Sequence, residues 1–424
     1  MRICKRCLYT EIHPLNITFD DDGICSGCRV HEEKDTLNWK PRSEKLGKIF
    51  DAYRNKSGTN YDCIIPVSGA RDSYFIVHTV KNVYGMNPLL VTYNKQYNTD
   101  IGIRNLAWLR IHFNCDIMTL TVSPETVKRI TRETMKKMGS IYWHCLAGQT
   151  VYPVQVAVKF KIPLIVWGAH QGVDQVGMFS HLDEVEMTRK YRKEHDLMGY
   201  EAEDLIDPFH GIYEEDMVQY MYPDDKELER VGVRGIYLNN YIRWDTKAQH
   251  EKMIDMYGYE TASMTRTFDS YNDVDCFNYA DVHDYIKYLK YGYGKVTDHA
   301  NREIRLKRLT REEAVEVVKN YHYREPKNLD KFLNWLGITE NAFRFVIDQH
   351  RDPRVWQRDE NWKWKMVANP LPENENTAEV DKHRLEKKEN CEFVVSPSRR
   401  PDFNDDKYII IGKGYPENKS EVVS

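Results

Sequence analysis

The segment from Tyr61 to Val80 constrains the fold more than any other part of this 424-residue chain. An apolar run, Tyr61-Asp-Cys-Ile-Ile-Pro-Val67, is followed by the small residues Ser68-Gly-Ala-Arg-Asp-Ser73 and then by a helix-compatible stretch. This order predicts a buried strand, a tight turn and the start of a helix. Backbone N–H groups and the positive end of the helix dipole converge at such a junction, so the turn is predicted to bind phosphate or pyrophosphate.

Side chains of this turn fit the same chemistry. Ser68 and Ser73 would add hydroxyl donors, and Gly69 would let the backbone approach a ligand closely. Asp72 can cap the helix or bind magnesium. The alternative interpretation is an ordinary strand-to-helix turn that is rich in small residues.

The composition excludes some classes of protein. A formal net charge of −4 with 41% hydrophobic residues gives no overall attraction to nucleic acid or membranes. No run approaches the roughly 20 apolar residues of a membrane span, and Met1–Cys7 lacks the apolar core of a signal peptide. We therefore expect a cytoplasmic protein.

The N-terminus carries a C-x2-C-x17-C-x2-C array formed by Cys4, Cys7, Cys25 and Cys28. Two thiolate pairs separated by a turn suit tetrahedral zinc with no coordination position left open for substrate, which predicts a structural zinc site. His13 or His31 could replace one thiolate. The alternative is four free cysteines in a flexible leader.

Residues 61 to about 170 alternate strand and helix patterns, which predicts a parallel sheet covered on both faces, as in nucleotide-binding α/β domains. The expected strands are 61–68, 88–94, 115–122 and 162–169, and the expected helices are 101–112, 124–138 and 151–160. Ligands bind beyond the carboxyl ends of such strands. The turn at Ser68 should therefore share one rim with Tyr93-Asn-Lys95 and Gly168-Ala-His-Gln171.

The second half of the chain is less regular. Phe179–Lys193 predicts a charged helix or a lid, and residues 235–245 predict a strand that runs into a polar tip. Residues 246–350 are predicted to be helical, with a capping box at Thr310–Glu313. Tyr291–His299 predicts either a site-facing loop or a plain connector between helices.

These patterns predict four regions. They are a Cys4 zinc-binding module (1–40), a nucleotide-binding α/β domain (55–245), a helical substrate-binding region (246–365) and a disordered tail (366–424).

The turn resembles the S-G-G-x-D-S signature of the N-type ATP pyrophosphatases, whose fold is the PP-loop, HUP-like type. Ala70 departs from it, because that family has a second glycine at this position. With the cysteine quartet, Trp167-Gly168, Tyr237–Asp245 and Tyr291–Ala314, the chain resembles the N-acetyl sugar amidotransferases. These are the WbpG- and PseA-type proteins of bacterial surface-glycan synthesis, and the resemblance covers roughly residues 1–350.

The resemblance implies ATP-dependent conversion of an acetamido group, on a nucleotide-linked sugar, into an acetamidino group in O-antigen, lipopolysaccharide or flagellin glycan synthesis. The amide oxygen would attack the α-phosphate of ATP, and ammonia would displace AMP. The implied cofactors are Mg²⁺ and structural Zn²⁺. Because the chain has no recognisable glutaminase motif, the resemblance implies an ammonia-supplying partner similar to the glutaminase and cyclase pair of histidine biosynthesis.

Residue roles follow from the same resemblance. The expected nucleotide-binding residues are Ser68, Gly69, Ala70, Arg71, Asp72, Ser73, Tyr93 and Gly168, with Arg71 neutralising pyrophosphate. The expected catalytic residues are Asp72, which would order magnesium, and Asp298, His299 or His170, which would position substrate or transfer protons. The expected phosphate or sugar contacts are Lys95, Lys295 and Arg305. Each of these could instead be an ordinary surface charge or a satisfied polar residue.

Two other functions share some of these features. A tRNA-thiolating ATP pyrophosphatase has a similar turn and zinc cysteines, but the net charge of −4 and the lack of a further C-x2-C pair beyond the N-terminus oppose it. A catalytically silent, nucleotide-binding zinc scaffold is supported by Ala70 alone. A Cβ at that position would be strained if the backbone required a positive φ.

Overall fold

A computed structural model describes residues 1–15, 17–70, 72–369 and 371. At its centre lies a five-stranded parallel sheet with the strand order β3-β2-β1-β4-β5. The strands are β1 (Cys63–Pro66), β2 (Pro88–Tyr93), β3 (Ile117–Leu120), β4 (Leu164–Trp167) and β5 (Arg234–Tyr237). The chain builds the sheet outward from β1 to β3 and then continues from β4 on the other side of β1. The strand order therefore reverses between β1 and β4.

Helices pack around this sheet and form most of the C-terminal part. They are α1 (Ser26–Thr36), α2 (Trp39–Tyr53), α3 (Ser73–Val77), α4 (Asp100–His112), α5 (Pro124–Met138), α6 (Trp143–Phe160), α7 (Gln171–Asp174), α8 (Arg189–Tyr191), α9 (Glu214–Met217), α10 (Asp225–Val231), α11 (Thr246–Tyr257), α12 (Val282–Tyr291), α13 (Lys295–Arg305), α14 (Arg311–His322), α15 (Leu329–Leu336) and α16 (Glu340–Asp348). A small antiparallel pair follows, β6 (Trp356–Arg358) and β7 (Trp364–Met366). Within the described ranges, no helix combines the length and the apolar character that crossing a bilayer requires.

The sheet is apolar on both faces because alternate side chains enter two different layers. Ile64 of β1 and Ile165 of β4 pack with Val154 of α6 on one face. Ile65 of β1 packs with Phe75 of α3 on the other face. Burying each such side chain contributes about 1.5–3 kcal/mol, so the layers hold the carboxyl ends of the strands in fixed positions.

The predicted α/β class and parallel sheet are confirmed, and each predicted strand is present but shorter at its ends. The helix predicted over 151–160 is the second half of α6, which begins at Trp143 and contains Pro153. The predicted start was wrong because the buried residues Trp143 and Ala147 extend the apolar face backward.

Two predictions in the second half were also wrong in part. Phe179–Lys193 is not one helix, because helical structure begins only at α8 and continues as a π-turn over Arg192–Asp196. The strand predicted over 235–245 ends at Tyr237 and is followed by a 3₁₀ turn over Leu238–Asn240. The predicted tail lies outside the described residues apart from 366–369 and 371.

The four N-terminal cysteines form one buried cluster whose sulfur atoms all lie within 4.8 Å of one another. Cys7 Sγ is 3.6 Å from Cys25 Sγ, and the backbone N–H groups of Cys7 and Cys25 donate to Cys4 Sγ at 3.4 and 3.3 Å. Four thiolates with Zn–S bonds of about 2.3 Å would be about 3.8 Å apart in a tetrahedron. The cluster is therefore compatible with zinc, and it includes neither His13 nor His31.

We expect Cys25→Ser to release the metal and to lower the free energy of unfolding by about 3 kcal/mol or more, because metal binding contributes directly to folding. Elemental analysis and chemical denaturation would measure both effects. Cys115→Ser is the matched control, since Cys115 lies outside the cluster. Equal metal content in the two variants would contradict a structural Cys4 site.

Candidate active site

Two loops that follow neighbouring strands border one cavity. One loop follows β1 and contains Ser68–Ser73, and the other follows β4 and begins at Gly168. Crevices form where the strand order of such a sheet reverses, and that point lies between β1 and β4. Asp72 from the first loop and Ala169 and Gln171 from the second line a cavity of about 180 Å³. These two loops therefore share a rim, as predicted.

The turn after β1 is held by its own hydroxyl groups. The Ser68 N–H donates to Ser73 Oγ at 3.2 Å, and the Ala70 N–H donates to Ser68 Oγ at 3.4 Å. Gly69 has φ +79°, and a Cβ there would lie 2.8 Å from the Gly102 carbonyl oxygen. The turn therefore needs glycine at position 69, both for its backbone conformation and for the close approach of α4.

Ala70 does not carry the strain that the sequence left open. Gly69 has a positive φ, and Ala70 does not. The Ala70 methyl group is fully buried in the same apolar cluster as Phe75. The observation that supported a silent scaffold is therefore removed. Arg71 lies outside the described residues.

Helix α13 forms the opposite wall of the cavity. Lys295, Asp298, His299 and Arg302 all line it. Their spacing of i, i+3, i+4 and i+7 places them on one face of the helix. The sequence predicted either a site-facing loop or a connector for Tyr291–His299. In the structure, α13 begins at Lys295, and the connector from α12 is limited to Gly292–Gly294.

Lys295 is fixed by three contacts at the start of α13. Its Nζ forms an ion pair with Asp273 and lies 3.1 Å from the centre of the Tyr279 ring. Its backbone N–H donates to Asp284. The ammonium group therefore has a defined position at the cavity.

Asp298 is a poor proton acceptor in this arrangement. One carboxylate oxygen accepts from Tyr9 Oη at 2.8 Å, and the other accepts from Lys287 Nζ at 2.5 Å. Burial favours the protonated form, but the Lys287 ammonium outweighs it and holds the pKa of Asp298 below its ordinary value. Asp298 is therefore an ionised group that can position a substrate.

Burial favours the neutral form of the two candidate histidines. Burial lowers the pKa of His299, and it lowers the pKa of His170 to about 4. His299 Nδ1 lies 2.7 Å from Thr267 Oγ1. His170 Nδ1 accepts the N–H of Gly172 at 3.1 Å, so its proton is on Nε2. In this state His170 can donate a hydrogen bond from Nε2 but has no free nitrogen to accept a proton.

Tyr93 and Lys95 do not line either of the cavities described here. Tyr93 Oη is bonded to His144 Nδ1 at 3.0 Å and to Tyr220 Oη at 2.7 Å. Lys95 Nζ forms a buried ion pair with Asp275 at 2.5 Å. The predicted rim is wrong at β2, because the chain near Asp275 pairs with the segment that follows this strand.

Arg305 and Gly168 also make contacts that hold the site together. Arg305 lines the cavity, but its guanidinium lies 3.6 Å from Cys25 Sγ and donates to the Gln175 carbonyl. It therefore links the cysteine cluster to the loop after β4. Gly168 lies where a Cβ would be 2.9 Å from Ile76 Cδ1, so it lets α3 approach that loop.

A second cavity of about 440 Å³ adjoins the first. Both are lined by Ala169, Gln171, Gln175, Tyr279, Lys295 and Asp298. The second cavity is rich in aromatic side chains, namely Trp167, Tyr191, Tyr222, Tyr237, Tyr279, Tyr291 and Tyr293. A compact polar cavity thus opens beside a larger, mainly apolar one, and Lys295 and Asp298 lie where they meet.

Sequence reasoning missed several residues of this site. Arg302 donates to Asp269 at 3.0 Å and to Tyr271 Oη at 2.8 Å, and it lines the first cavity. The helical spacing from Lys295 would have identified it. Lys287 and Asp273 gave no comparable signal, because their partners are known only from tertiary contacts.

Comparisons with known proteins give one family match and two partial similarities. Residues 265–370 match the family described as LPS biosynthesis protein WbpG-like, C-terminal domain. An uncharacterized protein of Methanocaldococcus jannaschii is 28% identical over 120 residues, which cover 28% of this chain and 42% of that protein. The match thus spans less than half of that relative. The structure of NMN synthetase from Francisella tularensis is 14% identical with a TM-score of 0.26, over 48% of this chain and 93% of that chain.

The matched region coincides with one wall of the site. Residues 265–370 contain α12 to α16, and α13 contributes Lys295, Asp298, His299 and Arg302 to the first cavity. The family match agrees with the resemblance drawn from the cysteine quartet and the turn after β1. Residues 265–370 are thus similar to the WbpG-like C-terminal domain, and this similarity covers the wall of the site that α13 forms.

Proposed function

We propose that this protein is an ATP-dependent amidotransferase of lipopolysaccharide biosynthesis, which converts an acetamido group of a nucleotide-linked sugar into an acetamidino group. The observation that carries the proposal is the junction of the two cavities at the point where the strand order reverses. A phosphate-bearing group and a second, larger substrate would meet there beside Lys295 and Asp298. The WbpG-like family relationship supports the biosynthetic context.

In this proposal the first cavity holds the phosphates of ATP. Asp72 brings the turn Ser68–Ser73 to this cavity, and Lys295 and Arg302 supply positive charge from the opposite wall. Asp72 provides a carboxylate of the kind that Mg²⁺ prefers, and Mg²⁺ would neutralise charge on the phosphates when bound. These groups would hold the α-phosphate at the entrance to the second cavity.

The second cavity would hold the sugar with its acetamido group toward Lys295 and Asp298. The amide oxygen attacks the α-phosphorus of ATP, the bond to the β-phosphate oxygen breaks, and pyrophosphate leaves. Ammonia then forms a bond to the imidate carbon, the carbon–oxygen bond breaks, and AMP leaves with that oxygen. Alignment of the two substrates lowers the barrier by replacing a bimolecular encounter with a fixed geometry. A separate glutaminase partner would supply the ammonia.

The decisive experiment uses mass spectrometry of UDP- and CMP-linked acetamido sugars incubated with ATP, magnesium and ammonium. We expect a product that is lighter by the difference between an oxygen atom and an NH group, together with equimolar AMP and pyrophosphate. Intact sugars across the panel with AMP still formed would refute the amidotransferase. Tight, salt-sensitive binding of bulk tRNA would instead revive a tRNA-modifying enzyme.

We expect Lys295→Gln to lower kcat/KM for AMP formation by about 100-fold, because an ammonium group aimed at the reacting phosphates is lost. Lys319→Gln is the control, since Lys319 is exposed on α14 and lines neither cavity. A steady-state assay of pyrophosphate release would measure both variants. Equal rates would exclude Lys295 from the catalytic machinery.

Ala70→Gly is expected to change kcat by less than about threefold and to lower stability by about 1 kcal/mol, because the variant removes a buried methyl group without relieving strain. Gly69→Ala should abolish AMP formation, since its Cβ would overlap α4. Paired measurements of pyrophosphate release and thermal unfolding would test this contrast. A large gain of activity in Ala70→Gly would show that the natural turn is silenced.

A further inference from the structure

The proposed reaction requires a proton acceptor in the second cavity, and His299 lines only the first of the two cavities described. Ammonium is the main form of ammonia in neutral water, and only the unprotonated form can attack the imidate carbon. Asp298 already accepts two hydrogen bonds, and its pKa is lowered. His170 carries its proton on the nitrogen that is not bonded to Gly172. Neither group is suited to remove a proton from ammonium.

Asp196 is a carboxylate that faces the second cavity without an assigned role. It ends the π-turn over Arg192–Asp196 and lines the same cavity as Lys295 and Asp298. Its carboxylate makes no hydrogen bond or ion pair with other residues in the part of the chain that the structure describes. A carboxylate so placed can accept hydrogen bonds or a proton from a ligand.

Two tyrosines lie near Asp196, because its charge, after burial, helps to raise the pKa of Tyr191 and of Tyr237. The centre of the His170 ring lies 4.2 Å from the centre of the Tyr191 ring and 4.7 Å from that of the Tyr237 ring. The Tyr191 ring also contacts His195 at 4.6 Å. Aromatic faces with one carboxylate favour a small cation.

Arg192, whose charge acts on Asp196, is bonded to other residues. The guanidinium of Arg192 forms an ion pair with Glu201, and its Nε donates to Thr150 Oγ1 at 2.8 Å. Burial raises the pKa of Asp196 to about 7, while the charge of Arg192 opposes this shift. A carboxylate with this pKa is ionised in part at neutral pH and can hold a proton for the duration of a reaction.

We propose that Asp196 and its aromatic wall form an ammonium site, in which the Asp196 carboxylate takes a proton from ammonium and releases ammonia to attack the imidate. The inference rests on the proposed function. One N–H bond of ammonium breaks, the proton moves to the carboxylate, and the nitrogen keeps the electron pair that forms the bond to carbon. The departing AMP phosphate or water then takes the proton from Asp196, so the carboxylate is restored.

The test measures amidine formation with ammonium chloride as the nitrogen source, at limiting total ammonium and varied pH. In the wild type, kcat/KM for ammonium should rise as Asp196 ionises near pH 7 and then stay flat to about pH 9, because the ionised base acts on ammonium itself. Asp196→Asn should depend on free ammonia, so its kcat/KM should rise about tenfold per pH unit over the same range. At pH 7 we expect a loss of about 100-fold in kcat/KM for ammonium, with KM for ATP unchanged.

Glu194→Gln is the matched control, because Glu194 lies on the same turn, is exposed and lines neither cavity. Folding is checked by thermal unfolding at pH 8. The raised pKa means that ionising Asp196 costs stability as pH rises toward 7, so Asp196→Asn should unfold at a higher temperature than the wild type.

The outcomes separate the two proposals. Identical pH profiles and equal kcat/KM for ammonium in Asp196→Asn and the wild type, with amidine formed by both, would overturn the ammonium site and leave the amidotransferase intact. Equal losses in Glu194→Gln would also overturn it. Absence of amidine from the wild type at every pH would overturn the proposed function and this inference together.

Discussion

The position of α13 depends on one fully buried charge pair. The Asp284 carboxylate accepts from Arg266 Nε at 2.7 Å and from the first backbone N–H of α13, at Lys295. Arg266 also donates to the carbonyl oxygens of His322 and Arg324, so both charges are satisfied inside the protein. Removing one partner of such a pair costs about 3–5 kcal/mol, because the other charge stays buried without compensation. The start of α13 is therefore fixed in position and direction.

Because α13 is fixed, it connects the cysteine module to the cavity. The Asn301 side chain accepts the backbone N–H of Leu8 at 2.7 Å, and Tyr9 Oη donates to Asp298. At the end of the helix, Arg305 lies against Cys25. The module thus supports one wall of the site. A change in the cysteine cluster would alter the surroundings of Asp298 through its hydrogen bond with Tyr9. In the proposed reaction, a zinc ion in this cluster would therefore act through the position of α13 and not through the chemistry.

The parts of this structure that the sequence predicted are those with a local signal. The buried strand before Ser68 and the cluster of N-terminal cysteines each depend on residues that are at most a few tens of positions apart. Both were predicted correctly. Helix α13 was only partly recognised, because the glycines at 292 and 294 resemble a loop while the polar face that follows resembles solvent-exposed sequence. Lys95 was misplaced since its ion-pair partner, Asp275, is 180 residues away. The second cavity could not be predicted at all, because its walls come from segments that meet only after folding.

The charges of the site are arranged in pairs before any ligand binds. Lys295 faces Asp273, Lys287 faces Asp298, and Arg302 lies beside both Asp269 and Glu303. Such pairing fixes the donors and lowers the cost of reorganisation during reaction, but it leaves little net positive charge for a triphosphate. An anion that binds here must therefore bring a neutralising cation with it, or it must displace a carboxylate from its paired lysine or arginine. Under the proposed function, ATP that arrives with magnesium would meet the first condition.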